Sequence, residues 1–498
     1  MTDTNQLGAR KALEWQRDLV RRGLSARQVL SFGQRVFLLL TVVVLILACV
    51  IAPVLTVTIL IGLITVVYLG SSVFKIWVSL ESVAADDFGI KVPDEVLADL
   101  RDTDLPVYTV LVPLYREWQV LNQLVYGLEH LDYPPDRLDV KILLEENDVE
   151  TIAAIRRFKL PPFVEPVIVP VGNPQTKPRA CNSGLAVARG EFLVIYDAED
   201  RPDPDQLLKA VAAFRKVGPK VACLQAKLNY FNPRQNVLTR LFTLEYSTWF
   251  DLVLPGLHAA RAPIPLGGTS NHFRLSILRE LGAWDAFNVA EDCDLGIRIY
   301  SAGLHTGILD STTWEEANSR VGNWVRQRSR WIKGYLQSYL VHMRQPVTLS
   351  RQVGAAGFIA FQFLVGGTPF ALLLNPLFWL LTVGYFLTRW NVIEQVFPWP
   401  IYYVGLFNLM VSNFLFAYLS LFGAYERGED DLVRYGLLAP FYWALMSVAA
   451  WKGTLQLITR PHFWEKTVHG LAGSTSEMNP EPAADEEGLA SASEAVLQ

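Results

Sequence analysis

The chain has 498 residues, 51% of them hydrophobic and 19% charged, with a mean hydropathy of +0.23. That balance excludes an ordinary soluble enzyme and requires membrane segments. A net charge of −5 gives no basis for a nucleic-acid partner, and the scattered Cys49, Cys181, Cys223 and Cys293 form neither a CxxC pair nor a zinc ligand set.

Residues 1–35 are polar and carry Arg10, Lys11, Arg17, Arg21, Arg22, Arg27 and Arg35. The positive-inside rule assigns this segment to the cytosol. Residues 36–78 are almost free of charge and too long for one crossing of about 20 residues, so they read as a hairpin of two spans broken near Pro53. Residues 85–345 have the texture of a soluble α/β domain. Apolar strand candidates at 108–112, 140–144, 164–169 and 192–196 alternate with helical stretches such as 121–131 and 204–217, the pattern of a mostly parallel sheet with helices on both faces. Residues 353–458 turn apolar again in three blocks, 354–387, 401–424 and 435–458. The first block reads as a hairpin of two short spans or as one span with an interfacial lead-in. The bundle therefore has three or four spans, and four are preferred because they return Arg460, His462 and Lys466 to the cytosol. In the closing segment, 459–498, the Glu-, Ala- and Ser-rich stretch from 474 onward reads as disordered.

Three constellations inside the α/β domain carry chemistry. The apolar run 192–196 delivers Asp197, Glu199 and Asp200 to a strand end. Ligands sit beyond the carboxyl ends of strands in open α/β sheets, and Mg²⁺ or Mn²⁺ prefers oxygen donors. This points to a metal site holding a diphosphate, with a solvated acidic turn as the plainer alternative. Glu291, Asp292 and Asp294 head a helical stretch that runs to about residue 302; they are a candidate acid/base group or simply favourable charges in a first helical turn. Gln327, Arg330, Trp331 and Gly334 share one helix face. The guanidinium can grip a phosphate and the indole can pack against a sugar ring, or the helix is a basic amphipathic one on a membrane surface.

Gln327 to Trp331 matches a QxxRW signature, and with the other motifs in order the chain resembles the membrane-integrated family 2 glycosyltransferases, which include cellulose, hyaluronan and mannan synthases. The resemblance runs from about residue 108 to 467. It implies a GT-A-type, Rossmann-like catalytic domain inserted between α-helical transmembrane segments. Asp197 resembles the first residue of the family's DxD motif, with Glu199 or Asp200 completing a Mg²⁺ or Mn²⁺ contact. Asp292 matches the Asp of the TED motif, implying the general base, with Glu291 beside it. Glu145 or Glu146 stands where the family places a nucleobase-binding Asp. Lys177, Arg179 and Asn182 resemble the KAGN segment, with Arg179 in the place of the phosphate-facing lysine; Gln327 and Arg330 join them around the diphosphate. Gly268, Thr269, Ser270 and Asn271 occupy the acceptor-loop position, with Trp331 as the acceptor floor. Phe463, Trp464, Lys466 and Thr467 resemble a gating segment.

The resemblance implies an inverting hexosyltransferase that uses a UDP- or GDP-sugar to build a β-linked polysaccharide, processively and with export through its own helices. The alternative is transfer of one sugar to a membrane lipid; a nucleotide-sensing transporter is the lesser reading. The implied setting is a bacterial inner membrane with the catalytic domain in the cytosol, and the partners are a nucleotide sugar, a growing glycan or lipid acceptor and the bilayer. An export or regulatory partner stays unidentified.

Overall fold

The computed structural model describes residues 2–84, 89–101, 104–467 and 470; the stretch from 474 onward lies outside them. Helix α1 (Thr2–Arg21) buries Ala12 and Leu19 against the α/β domain. Ser31 and Gln34 then form a reciprocal capping box that starts α2 (Phe32–Ile51). Pro53 cannot extend that helix and instead opens α3 (Pro53–Ala84), so the break falls where the sequence puts it. Helix α2 buries none of its side chains within the protein, as a helix whose solvent is lipid would.

Eight strands form one mixed sheet in the order β3-β2-β1-β4-β7-β6-β8-β5. Strands β1 (Tyr108–Leu114), β2 (Leu138–Glu145), β3 (Val164–Val169) and β4 (Phe192–Ile195) are mutually parallel and match the sequence expectation within a few residues. Each of β1, β2 and β4 is buried along nearly its whole length because both of its faces are covered, and the charges inside β2, Asp139 and Lys141, pair with each other at 2.9 Å. The short β5 is Arg201–Pro202, and the long strands β6 (Val221–Tyr230) and β8 (His305–Glu315) pair in parallel. Between β4 and β6 lies β7 (Asn271–Arg274), antiparallel to both. The sheet is therefore mixed, where a mostly parallel one was expected.

This topology brings the carboxyl ends of β1, β2 and β4 to one edge. Two helices complete that edge, α4 (Lys177–Val187) and α5 (Glu291–Ser301), with α6 (Val321–His342) lying across the latter. Gly334 sets how close α6 comes: a Cβ there would stand 2.2 Å from the Cβ of Ala290 and 2.5 Å from its nitrogen. Ala290 immediately precedes the first turn of α5. Substitution Gly334→Ala should therefore destabilise the fold by about 1–3 kcal/mol and lower activity together with it, read as a fall in melting temperature; an unchanged melting temperature would mean that the two helices can separate freely.

By length and composition, Phe32–Ile51, Pro53–Ala84, Pro346–Thr388 and Asp430–Thr459 are apolar enough to cross a membrane. The hairpin expected within 354–387 does not form. Helix α7 (Pro346–Thr388) continues through that block, bent at Gly354, whose φ of 71° leaves the right-handed helical region. The next block is α8 (Trp399–Phe407) and α9 (Asn413–Glu426), joined by a π-helical turn. The last, α10 (Ala439–Thr459), runs beside α6: Tyr442 packs on Trp324, Gly453 lies against the Ser329 carbonyl, and Lys333 donates to Gln456.

Candidate active site

Beyond β4, the backbone N–H of Asp197 donates to Asp200 at 2.8 Å and Thr269 donates to the same carboxylate, which tightens the acidic turn. Burial, then the charges of Asp197 and Glu199, push the Asp200 carboxyl well up. Lys177, in the first turn of α4, reaches across to form an ion pair with Asp197 and donates to the Gly268 carbonyl at 2.8 Å. Burial disfavours its charge, but Asp197 and Glu291 hold the ammonium above its ordinary range. Glu315, at the end of β8, faces the same cluster, and its carboxyl is raised by burial and by Asp200, Asp197 and Glu199. Sequence reading missed Glu315, although two adjacent acids at a strand end repeat the signal that marked Asp197.

Glu291 and Asp292 open α5 beside this cluster. Asp292 accepts from the Cys293 N–H at 2.7 Å. Burial raises its carboxyl, and burial together with Asp292 pushes Glu291 up to about 8. Lys177 and Arg330 oppose both shifts. If this pair accepts a proton during turnover, activity must rise with pH through the neutral range, because only the deprotonated form is a base. Folding stability has the opposite sign: the pair's contribution is complete below the ordinary carboxylate range and is lost as pH rises through about 8. A pH–rate profile tests this, and a rate that is flat from about pH 5 to 9 would contradict it.

Helix α6 presents Gln327, Arg330 and Trp331 to the same space. Gln327 is fixed by accepting from Asn318 at 3.0 Å. The indole of Trp331 stacks near Tyr246 with centroids 6.3 Å apart, and the Arg328 guanidinium lies 4.6 Å from the Trp331 ring. Arg330 sits 4.4 Å over the ring of Trp464. Burial lowers its pKa, while Glu291, Asp292 and Asp197 act against that.

The segment after α10 straps over the site. Lys333 donates to the Phe463 carbonyl at 2.7 Å and Gln337 to that of Pro461 at 3.0 Å. Lys466 pairs with Glu117 at 2.9 Å and donates to the Tyr115 carbonyl, just beyond β1. Phe463, Trp464, Lys466 and Thr467 all line the resulting cavity of about 1030 Å³. Its walls at the sheet edge include Glu145, Lys177, Asp197, Glu199, Gly268, Thr269, Glu291 and Asp292; its other end reaches Tyr68 of α3 and Asn375 of α7.

Several of the residues singled out in the sequence do not line this cavity. Asp200 is buried behind the acidic turn, where it accepts from the Asp197 N–H and from Thr269, and Asp294 is buried in a pair with Arg298 and His342. Glu146 accepts from the Val171 N–H on the exterior. Asn182 is buried and exchanges hydrogen bonds with the Trp284 backbone, closing the core behind α4. Ser270, at φ 55°, donates to Thr313, and Asn271 donates to the Gly267 carbonyl; both shape the loop from behind. Arg179 turns from the acidic turn to Glu145, 3.1 Å away, and to the Pro170 carbonyl. The cation at the acidic cluster is thus Lys177, with Arg179 at the end of β2.

Residues 192–425 match the family model described as glycosyl transferase family group 2. The match spans just under half of the chain and supports a family 2 glycosyltransferase domain on a GT-A-like mixed sheet. Among curated proteins, the probable glycosyltransferase YdaM of Bacillus subtilis is 29% identical over 50% of this chain and 60% of its own length. The beta-monoglucosyldiacylglycerol synthase of Synechocystis is 26% identical over 76% of this chain and 78% of its own. Glucomannan 4-beta-mannosyltransferase 2 of Arabidopsis thaliana is 26% identical over 47% and 46%. The chain thus spans less than two thirds of the first of these relatives and under half of the last. Among solved structures, a mannosyltransferase from Pyrobaculum calidifontis in complex with GDP-Man and Mn²⁺ aligns over 81% of this chain and 99% of its own at 18% identity, with a TM-score of 0.47. Together the family match and the relatives support an enzyme of the hexosyltransferase class.

Proposed function

We propose that the protein is a membrane-integrated inverting glycosyltransferase that moves one hexosyl unit from a nucleoside-diphosphate sugar to a membrane-lipid acceptor. The observation that carries this is the single cavity running from Glu145 past Asp292 and Trp331 to Tyr68 and Asn375. A donor enters at the sheet edge, and an acceptor reaches the same space from the membrane-facing helices. With α2, α3, α7 and the α8–α9 pair as spans, residues 8–31 and the strap at 461–467 would lie on one face, cytosolic by the charge of residues 1–35. Helix α10, although apolar and long enough to span, packs along α6, and without it as a span the bundle is smaller than an exporter of polymer would need.

Asp292 takes the proton of the accepting hydroxyl as that oxygen bonds to the anomeric carbon and the bond to the diphosphate breaks. Lys177 and Arg330 lie where negative charge grows on the departing diphosphate, and stabilising that charge in a dry site is where an enzyme gains most. Trp331 and Tyr246 give the acceptor an apolar floor. The strap from Phe463 to Thr467 covers the donor and excludes water. Glu145 and Arg179 border the place for the base.

Asp197, Glu199 and Asp200 offer oxygen donors alone, and Asp200 Oδ1 is buried with no hydrogen-bond partner, which fits a hard divalent cation. Among the described residues no three such side chains are gathered closely enough to hold an ion as they stand, and Lys177 now neutralises Asp197. A bound Mg²⁺ or Mn²⁺ would add neutralisation of the leaving diphosphate. Processive synthesis of a β-glycan is the second reading. It is favoured by the polar side chains Tyr68, Ser72, Thr368, Asn375 and Ser420 on the membrane-side lining, since polar groups inside a membrane mark a substrate path. Mass analysis of products formed by the purified protein from UDP- and GDP-sugars decides between them: one sugar per lipid is expected, and a ladder of long chains would overturn the single-transfer reading.

A further inference from the structure

Tyr68, Ser71, Ser72 and Lys75 fall at i, i+3, i+4 and i+7 on α3 and all line the cavity. Facing them on α7, Thr368, Ala371, Leu372 and Asn375 repeat the spacing, and Tyr68 and Asn375 hydrogen-bond across the gap. Lys75 is the cation at the inner end of this stripe. The acid whose charge acts on Lys75 is Glu245, but Glu245 is already taken: it pairs with Arg328 and accepts from the Tyr442 hydroxyl at 2.5 Å. Among the described residues no carboxylate is in ion-pair contact with Lys75. Lys75 thus has no carboxylate of its own in a low-dielectric chamber, where an anion brought to it would favour its charged form. The chamber adjoins the reaction centre, because Tyr335 feels the charges of both Asp292 and Glu245.

We infer that the acceptor is a phosphate-bearing membrane lipid, its phosphate seated on Lys75 and its chain against Pro369, Leu372 and Met446. The inference rests on the transferase reading above. The accepting oxygen bonds to the anomeric carbon, the bond from that carbon to the diphosphate breaks, and the nucleoside diphosphate leaves. The accepting hydroxyl gives its proton to Asp292, so the phosphate on Lys75 anchors the lipid and is not the nucleophile. A neutral acceptor would leave the Lys75 charge unmet.

The test uses the full chain in nanodiscs of uncharged lipid, with nucleotide binding and nucleoside diphosphate release measured in the same preparation. Acceptors are diacylglycerol, phosphatidylglycerol and phosphatidylinositol; the last two are phosphate lipids whose accepting hydroxyl lies on different headgroups. Transfer to one of the phosphate lipids should exceed transfer to diacylglycerol by about tenfold or more. Lys75→Gln should raise the KM for that lipid by a similar factor with nucleotide affinity unchanged, and Lys75→Arg should restore it. Equal or better use of diacylglycerol by the unaltered protein overturns the inference while leaving the transferase reading intact. Absence of nucleotide binding and of release with every acceptor overturns the transferase reading itself.

Discussion

Asp292→Asn should lower turnover by about 10²- to 10⁴-fold, the usual contribution of a positioned general base, while leaving nucleotide affinity nearly unchanged. The asparagine keeps the shape of the side chain and can still accept from the Cys293 N–H, the contact that fixes the carboxylate at the head of α5. What it loses is the ability to take a proton. Burial makes the carboxylate a stronger base than one in water, so the loss falls on the chemical step. Titration of nucleotide binding beside single-turnover transfer separates the two effects. A variant that binds and turns over like the unaltered protein would remove Asp292 from this role, and Glu291→Gln would then be the next variant to measure.

Arg330→Ala should cost about 10²- to 10³-fold in turnover, the range seen when a preorganised charge stabiliser is removed. Arg330 feels Glu291, Asp292 and Asp197 at once and lies over Trp464 of the strap. Its removal therefore leaves the buried acids less compensated and loosens the cover of the site. The first effect raises the pair's apparent pKa further, moving the rising limb of the pH–rate profile to higher pH. The second raises the KM for donor. Arg330→Lys keeps a charge but loses the flat contact with the indole, so it should recover part of the turnover and little of the KM. Loss of turnover with an unmoved pH profile would mean that Arg330 acts on the strap alone.

Much of this site was legible because its signals are local. An apolar strand running into Asp197, Glu199 and Asp200, an acidic helix head at Glu291, and Gln327, Arg330 and Trp331 on one helix face each declare themselves within ten residues, and all three meet at one cavity. What was hidden depends on partners far apart in the chain. The pairing of Lys177 with Asp197, the turn of Arg179 toward Glu145, and the hold of Lys333 on the Phe463 carbonyl leave no mark in periodicity. Four residues of β7 and two of β5 are too few to show a strand pattern, so the antiparallel members of the sheet went unseen. Helix α10 shows the limit of hydropathy: it is apolar and long enough to cross a bilayer, yet its packing along α6 through Trp324, Ser329 and Lys333 leaves no mark in that pattern.

The most direct measurement is release of nucleoside diphosphate by the purified full-length protein in lipid, with a panel of UDP- and GDP-sugars, Mg²⁺ or Mn²⁺, and Asp292→Asn in parallel. The account predicts release from at least one donor, dependent on added acceptor and lost in the variant. Absence of release across the panel by protein that binds nucleotide, or release that Asp292→Asn leaves untouched, would contradict it.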